Sequence, residues 1–311
     1  MKKVFAVTIN FNKEEVTKEW LRSMQNMHTD GFSLDLVIVD NASKVPFVLS
    51  KDALRQAQGK NGNVHVIRSE DNTGFTGGNN MGAEYALQKG ADYILIINND
   101  TIVDPDLVKN LLEVLDSSSK IGVTTPKIYF AKGHEFHKER YQKEDLGKVF
   151  WYAGGYTDWK NIRSVHRGVD EVDRGEYDTD EKVDFASGCC MMIKREVIEK
   201  LGLFDKRGFM YYEDAILCER LKHAGYEIWY VPEAKLWHLN AASSGGSGNE
   251  LQDYFITRNQ MLFGMMYAPV RSKIALIRQS LRYLKNGRPR QRQGIRDYYL
   301  GKFGKGSCFE K

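Results

Sequence analysis

Features that mark several classes of protein are missing from this sequence. No apolar run is long enough to span a bilayer, and residues 1–3 lead into a core-type strand without a secretory signal. The four cysteines contain no C-x-x-C pair, and the adjacent Cys189 and Cys190 are a poor disulfide framework. We therefore expect a cytoplasmic protein whose cysteines act as small apolar residues.

The commonest nucleotide-binding and nucleic-acid-binding motifs are missing too. Residues 71–82 are rich in glycine, but no Lys-Ser or Lys-Thr follows them, as a Walker A loop requires. They also lack the G-x-G-x-x-G spacing of dinucleotide-binding folds. No zinc spacing, helix-turn-helix or aromatic and basic sheet indicates a nucleic-acid partner, so we expect none.

Charge is present but unevenly distributed. The net charge is +4, yet residues 271–311 carry +10 and residues 1–270 carry −6. Within residues 271–311, apolar residues recur at helical spacing beside a row of cations. This pattern predicts an interfacial helix on an anionic membrane. A helix packed on the body with a solvated basic edge explains the pattern equally well. The apolar residues are Ile274, Ile277, Leu281 and Leu284, and the cations are Arg271, Arg278, Arg282 and Lys285.

Alternating strand and helix patterns up to residue 116 predict an α/β fold with a mostly parallel, Rossmann-like sheet covered by helices. The expected strands are residues 4–9, 34–39, 64–67 and 93–97. The last of them is apolar throughout, which is typical of a strand in the middle of a sheet. Asp104 as N-cap and Pro105 as first helical residue are expected to begin the next helix.

Polar residues follow these strands where α/β sheets bind their ligands. Asn98, Asn99 and Asp100 come directly after the fourth strand and predict a metal and diphosphate site. Asp40 ends the second strand, where it could bind a ribose or a base, although a plain Asx turn is an equal alternative. The glycines of residues 71–82 could let backbone N–H groups approach an anion ahead of a helix at about 79–88. A glycine-rich turn before a well-capped helix is the alternative.

The second half of the chain offers three further candidates. Residues 131–182 are aromatic and irregular, which favours a β-hairpin packed on the core over a sugar-binding face. Glu213 and Asp214 begin a predicted helix, where capping alone would favour carboxylates. His238 ends a strand before a Gly/Ser loop at 240–248 that could close over a substrate, which makes His238 a ligand candidate.

Six motifs in order resemble the family 2 inverting glycosyltransferases of GT-A fold, and among them bacterial rhamnosyltransferase-like enzymes that build surface polysaccharides. The resemblance covers roughly residues 3–240. The motifs are Thr8-Ile9-Asn10, Val39-Asp40-Asn41-Ala42-Ser43, Asn72-Thr73-Gly74-Phe75 with Gly78-Asn79-Asn80, Asn98-Asn99-Asp100, Tyr212-Glu213-Asp214 and Trp237-His238.

The resemblance implies a GT-A catalytic domain over residues 1–245, followed by a loop and a helical basic extension at 246–311. Residues 1–104 would bind the nucleotide sugar and residues 105–245 the acceptor. The implied enzyme is a metal-dependent hexosyltransferase that moves a sugar with inversion from a dTDP- or UDP-sugar, with dTDP-rhamnose as a candidate, to a lipid-linked or glycan acceptor. It would work at the inner face of the cell membrane, and a homodimer is left open.

The resemblance also assigns roles to single residues. Asp214 matches the catalytic base, and Glu213 beside it would orient the acceptor. Asp100 and His238 match ligands of a divalent cation, Mn²⁺ or Mg²⁺. The positions that match donor-binding residues are Thr8, Asn10, Asp40, Asn72, Gly74, Phe75, Gly78, Asn79, Asn99 and Asp100.

Two positions depart from the family pattern. Asn98 replaces the first Asp of the D-x-D motif, which predicts weaker or donor-dependent metal binding. Ile216 stands where an acidic residue often follows the Glu-Asp pair. The alternatives are a non-catalytic nucleotide-sugar-binding scaffold and a sugar-1-phosphate nucleotidyltransferase. A nucleotidyltransferase is disfavoured because the turn after Ile9 has no glycine.

Overall fold

The computed structural model of the protein describes residues 1–49, 62–240 and 249–310. Within these residues the main sheet has ten strands, and β8 and β9 form a separate hairpin. The strands are β1 (Lys2–Asn10), β2 (Phe32–Asn41), β3 (Val64–Ser69), β4 (Tyr93–Ile97), β5 (Thr101–Val103), β6 (Ile121–Phe130), β7 (Phe150–Tyr152), β8 (Gly155–Asp158), β9 (Arg163–His166), β10 (Glu181–Val183), β11 (Cys190–Lys194) and β12 (Glu227–His238). The helices are α1 (Glu14–Met24), α2 (Gly74–Gln88), α3 (Leu107–Asp116), α4 (Arg195–Leu201), α5 (Glu213–His223), α6 (Glu250–Tyr267), α7 (Val270–Asn286) and α8 (Pro289–Tyr299).

The order of the main sheet is β10-β12-β6-β11-β4-β1-β2-β3, with β5 beside β12 and β7 beside β6. Strands β3, β2, β1 and β4 are all parallel to one another, as predicted for the first half of the chain. Residues 94–97 of β4 are buried, as expected of a central strand. The second half departs from this pattern because β11 inserts antiparallel between β4 and β6.

The predicted helix after the glycine-rich stretch begins five residues earlier than expected, at Gly74. Two of its glycines face the sheet and leave no room for a side chain. A Cβ at Gly78 would lie 2.7 Å from the Ile9 side chain, and one at Gly82 would lie 2.3 Å from Val7. These glycines therefore serve close packing of α2 on the sheet, and the expected glycine loop is largely the start of this helix.

The helix predicted to begin at Asp104 and Pro105 is present, but its first residue lies two positions after Pro105. Residues 101–103 form β5, which pairs antiparallel with the end of β12 and keeps the chain extended beyond the polar triplet. Helix α3 begins only at Leu107. Asp104 instead closes the intervening turn, since its Oδ1 accepts a hydrogen bond of 2.9 Å from the N–H of Asp106.

The irregular region contains the expected hairpin, formed by β8 and β9. Aromatic residues of the irregular region pack against the rest of the protein. Tyr152 is fully buried and donates a hydrogen bond of 2.6 Å to the carbonyl of Phe185, and Trp159 stacks on Phe263 of α6.

The C-terminal helices pack on the sheet domain. Met261, Leu262 and Phe263 of α6 belong to the main hydrophobic core. Across the described residues, no helix is both long enough and apolar enough to cross a bilayer. Residues 241–248 of the predicted Gly/Ser loop lie outside the described residues.

Candidate active site

A cavity of about 300 Å³ lies at the carboxyl ends of the central parallel strands. Six predicted donor-binding residues line it: Asn72, Gly74, Phe75, Asn79, Asn99 and Asp100. Another part of the lining is an apolar wall that was not predicted from the sequence. It consists of Phe209 and Met210, which precede α5, together with Leu251 of α6 and Phe309 near the C-terminus.

The structure brings together the two predicted metal ligands. The Asp100 Oδ1 atom lies 3.2 Å from His238 Nε2, and both residues are buried. The pairing of β5 with β12 accounts for this contact, because Thr101 is in register with His238. The ring of Trp151 contacts the His238 imidazole edge-on, with centroids 4.7 Å apart, and so fixes its orientation.

The residues present fit a divalent cation that shares its coordination with a substrate. A carboxylate and an imidazole suit Mn²⁺ or Mg²⁺, and such ions commonly take their remaining ligands from phosphates and water. Within the described parts of the chain, no cluster of three or more His, Cys, Asp or Glu residues could hold a metal unaided. The His238 Nδ1 atom is buried and has no partner there, so this nitrogen is available to carry the proton when Nε2 is a ligand.

Three predicted donor-binding residues, Asn99, Asn10 and Asp40, belong to a hydrogen-bond chain that also includes Thr17, whereas the buried hydroxyl of Thr8 has no partner among the described residues. Asn99 Nδ2 donates to Thr17 Oγ1 at 2.8 Å, and this hydroxyl donates to Asn10 Oδ1 at 2.8 Å. Asn10 Nδ2 in turn donates to Asp40 Oδ1 at 3.3 Å. Thr8, Asn10 and Asp40 are all buried, so they support the wall in this conformation and do not line the cavity.

Asp40 is the most fully satisfied carboxylate of the site. It forms an ion pair with Arg68, and the backbone N–H of Phe47 donates to its Oδ2 at 3.1 Å. Burial alone would raise its pKa, but hydrogen bonds from Ser43, Phe47 and Asn10 outweigh burial and hold the pKa below its ordinary value. Asp40 is therefore ionised at neutral pH.

Asn41 organises the turn before α2, although sequence reasoning assigned it no role. Its Nδ2 donates to the Gly74 carbonyl at 3.0 Å, and its Oδ1 accepts from the N–H of Thr73 at 3.0 Å. The same Nδ2 lies 3.1 Å from Asn72 Oδ1. The Val39-Asp40-Asn41 motif contained this residue, but its partners lie more than thirty positions away.

The predicted base, Asp214, lies in the first turn of α5 and is half-buried. Its Oδ2 accepts a hydrogen bond of 2.9 Å from the N–H of Gly188, and its Oδ1 accepts one of 2.8 Å from Ala215. Burial raises the pKa of Asp214 despite these hydrogen bonds. The adjacent Glu213 is 7% exposed, and its Oε2 has no partner in the described chain. Burial and the charge of Asp214 raise the pKa of Glu213 well above its ordinary value.

Two consecutive residues connect the predicted base to the triplet predicted to bind metal. Gly188 donates to Asp214, and the carbonyl of Cys189 accepts a hydrogen bond of 2.9 Å from the N–H of Asn98. A Cβ at Gly188 would lie 3.3 Å from both Asp214 Oδ2 and the Phe75 ring, which lines the cavity. The short segment before β11 therefore holds Asp214 close to the cavity that contains Asp100.

The sequence profile of Glycosyl transferase family 2 matches residues 5–202, most of the domain just described. The chain belongs to this family. The family predicted from the ordered motifs is thereby confirmed.

Curated relatives of the chain include three sugar transferases. It is 25% identical over 82% of its length to "Low-salt glycan biosynthesis hexosyltransferase Agl10" of Haloferax volcanii, covering 73% of that protein. It is 24% identical to "dTDP-rhamnosyl transferase RfbF" of Shigella flexneri, covering 76% of this chain and 68% of the relative. It is also 24% identical to "Rhamnosyltransferase WbbL" of Escherichia coli, covering 74% of this chain and 80% of the relative.

Solved structures of two glycosyltransferases share the fold, which confirms the predicted GT-A type. One is GalNAc-T7 with UDP, GalNAc and Mn²⁺, with a TM-score of 0.60 and 15% identity over 92% of this chain. This chain spans 56% of GalNAc-T7. The other is the mannosyltransferase PcManGT of Pyrobaculum calidifontis with GDP-Man and Mn²⁺, with a TM-score of 0.54 and 14% identity, covering 96% of this chain and 74% of that one.

Proposed function

We propose that this protein transfers a sugar, with inversion, from a nucleotide-diphosphate donor to an acceptor hydroxyl in cell-surface glycan synthesis. The observation that carries the proposal is the pair of hydrogen bonds from the segment before β11. Gly188 binds the carboxylate of Asp214, and Cys189 binds the backbone of the Asn98 to Asp100 triplet. A base and a diphosphate site must be close together for a hydroxyl to attack the sugar opposite its leaving group.

Asp214 is the base in this reaction. Its carboxylate accepts the proton of the acceptor hydroxyl while the oxygen attacks the anomeric carbon and the bond to the diphosphate breaks. The hydrogen bonds from Gly188 and Ala215 hold the carboxylate in one orientation. Burial and the charge of Asp214 raise the pKa of Glu213, so this carboxyl takes up a proton more readily than an ordinary glutamate and, once protonated, can donate a hydrogen bond beside the base.

Asp100 and His238 are the residues that would hold Mn²⁺ or Mg²⁺. When bound, the ion supplies a Lewis acid that stabilises the charge of the leaving diphosphate. Both structural neighbours are complexes with Mn²⁺, which supports a divalent cation. Asn98 adds no charge to this pair, so binding of the ion is expected to depend on the donor.

The proposed donor is a dTDP- or UDP-sugar, with dTDP-rhamnose the first candidate. The Shigella relative is a dTDP-rhamnosyl transferase, and rhamnose carries a methyl group where hexoses carry a hydroxymethyl group. The apolar wall of Phe209 and Met210 suits such a group. Thermal shift with Mn²⁺ across a panel of nucleotide sugars tests the choice, with the largest stabilisation expected for dTDP-rhamnose. Equal shifts across the panel would contradict it.

The decisive test of function is transfer itself. Purified protein with Mn²⁺, the best-stabilising donor and a lipid-linked glycan acceptor should release nucleoside diphosphate and form a glycoside of inverted configuration. Product with retained configuration would overturn the assignment of Asp214 as the base. Absence of transfer or donor hydrolysis across the panel would instead favour a non-catalytic sugar-nucleotide-binding subunit.

The proposed acceptor is lipid-linked, which requires contact with a membrane surface. Helix α7 exposes an apolar stripe of Val270, Ile274, Ile277 and Leu281, whereas Leu284 packs against the body. The cations Arg271, Arg278, Arg282 and Lys285 are exposed on the same helix. This combination fits insertion at the headgroup level of an anionic bilayer.

Vesicle sedimentation tests the membrane contact. The protein should bind vesicles rich in phosphatidylglycerol at low salt and less at high salt, because exposed charges are screened. A variant with Ile274→Ser and Leu281→Ser should bind less, while Phe136→Ala, which removes an exposed apolar residue elsewhere, should bind normally. Equal binding to neutral vesicles would rule out the proposed role of the cations.

A further inference from the structure

The backbone just before α5 is held by a residue from the C-terminal part of the chain. Asn259 of α6 donates two hydrogen bonds through its Nδ2, one to the carbonyl of Met210 and one to that of Tyr211, each 2.9 Å long. Its Oδ1 accepts a hydrogen bond of 2.9 Å from Arg258 Nε. Asn259 is 1% exposed, so these contacts are shielded from water.

The segment that Asn259 binds has an unfavourable conformation. Tyr211 and Tyr212 have φ angles of 68° and 70°, in the left-handed region that residues with side chains rarely adopt. Such a conformation persists where surrounding contacts enforce it. The carbonyl of Tyr212 accepts the first hydrogen bond of α5, from Ile216 at 2.9 Å. This left-handed turn therefore sets the direction in which α5 begins and the position of Asp214.

Asn259 is itself fixed by a buried cation. The Arg258 side chain is fully buried, and its guanidinium lies 5.1 Å from the ring centre of Phe255 and 6.0 Å from that of Phe303. Its Nη1 donates to the carbonyl of Gly304 at 2.7 Å. Contacts from helix α6 and from the segment after α8 thus hold the side-chain amide of Asn259 in place.

We propose that Asn259 is a positioning residue for the base, acting through the backbone of residues 210–212 on the orientation of Asp214. This inference rests on the proposed function, in which Asp214 takes the acceptor proton. Asn259 reaches the base only through the left-handed turn, so its loss should slow the proton transfer without removing a group that binds the donor. An Asp side chain at this position has no N–H to donate, so its acceptor oxygens would face the carbonyl oxygens of residues 210 and 211.

Kinetics of two variants test the proposal. Asn259→Ala should lower kcat by about 10- to 100-fold, the cost of a base displaced by about 1 Å, and should change the donor KM by a smaller factor, because of residues 210–212 only Met210 lines the cavity. Asn259→Asp, which is nearly isosteric, should lower kcat at least as much. Tyr254→Phe is the matched control, because it removes a buried hydrogen bond to Asp297 from the same helix and retains both the aromatic ring and the Asn259 amide. Its kcat should stay within about twofold of the wild type even if its Tm falls.

Hydrogen exchange provides a measurement that needs no turnover. The amides of residues 211–216 should exchange faster in Asn259→Ala than in the wild type or in Tyr254→Phe. Unchanged exchange there, or a kcat for Asn259→Ala within twofold of Tyr254→Phe, would overturn the proposal. If the wild type transfers no sugar, the proposed function fails, and the exchange data alone then decide whether Asn259 holds this turn.

Discussion

Two carboxylates of the site, Asp40 and Asp214, have opposite environments. Asp40 is fully buried, paired with Arg68 and surrounded by hydrogen-bond donors, and its pKa is lowered. Asp214 is half-buried beside a second carboxyl, Glu213, and its pKa is raised by burial. The first holds its charge to lower pH than an ordinary aspartate, and the second takes up a proton more readily than an ordinary aspartate.

In the proposed reaction, this difference separates the structural role of Asp40 from the chemical role of Asp214. A satisfied carboxylate such as Asp40 stiffens the wall behind a donor cavity, because its charge is compensated in place. A carboxylate with a raised pKa is better matched to proton abstraction near neutral pH. Environment therefore assigns different duties to two residues of the same chemical type.

The largest effect is expected from Asp214→Asn. An amide of the same shape cannot take the acceptor proton, so kcat should fall by about 10²- to 10⁴-fold. The donor dissociation constant should stay within about twofold, because Asp214 is not needed to hold the nucleotide. Transfer rates and donor titration measure the two quantities.

The pH dependence sharpens the same prediction. Because the base must be ionised, kcat of the wild type should fall as the pH drops through the raised pKa of Asp214, at a higher pH than an ordinary aspartate would require. Asp184→Asn, which alters an exposed carboxylate near Lys222, is a control that should keep the wild-type profile. A wild-type rate independent of pH down to the ordinary aspartate range would contradict the assignment.

Removal of the divalent cation should have the next largest effect. Chelation by EDTA should reduce turnover by about 100-fold or more, because the leaving diphosphate loses its Lewis acid. Added Mn²⁺ or Mg²⁺ should restore the rate of the wild type but not that of Asp100→Asn. Turnover that is indifferent to EDTA would refute the roles of Asp100 and His238.

Asp40→Asn should act on binding and stability more than on chemistry. The donor KM should rise by about tenfold with kcat within about twofold, because the wall behind the cavity loosens. The free energy of unfolding should fall by about 2 kcal/mol at neutral pH, since Arg68 loses a charged partner. Asp35→Asn, at the other end of the same strand, should leave KM unchanged.

The sign of the pH dependence follows from the lowered pKa of Asp40. Its stabilisation is present above the pKa of an unfolded aspartate, about 3.9, and is lost as the pH falls through the lower folded value. Denaturant titrations should therefore show the stabilities of wild type and Asp40→Asn converging at acid pH. A constant gap between them down to that range would contradict the role of the Asp40 charge.

The smallest effect is expected from Glu213→Gln. A glutamine resembles a protonated glutamate as a donor, so kcat should stay within about threefold of the wild type. Because the pKa of Glu213 is raised in the folded protein, this carboxyl lowers the stability of the wild type once the pH exceeds the pKa of an unfolded glutamate. The variant should therefore have a Tm about 2 °C higher than the wild type at neutral pH and the same Tm near pH 4. Thermal melts at the two pH values measure this, and a large loss of kcat would show that ionised Glu213 takes part in the chemistry.

Much of the first half of the fold was predictable because its causes are local. Apolar runs identified the parallel strands, and Asn99 and Asp100 were found because they directly follow β4. Strand β5 was not predicted because it exists only through its pairing with β12, whose residues are more than 130 positions away. The apolar wall around Phe309 was missed for the same reason.

The sequence by itself determined the family and the GT-A type of sheet, and it predicted the candidate ligands and base, since ordered motifs and periodicity reside in neighbouring residues. Tertiary structure decided the contact of His238 with Asp100, the hydrogen bond from Gly188 to Asp214, and the hold of Asn259 on the turn before the base. Each of these joins residues at least 26 positions apart. Such contacts depend on how close the folded elements pack, which no local pattern encodes.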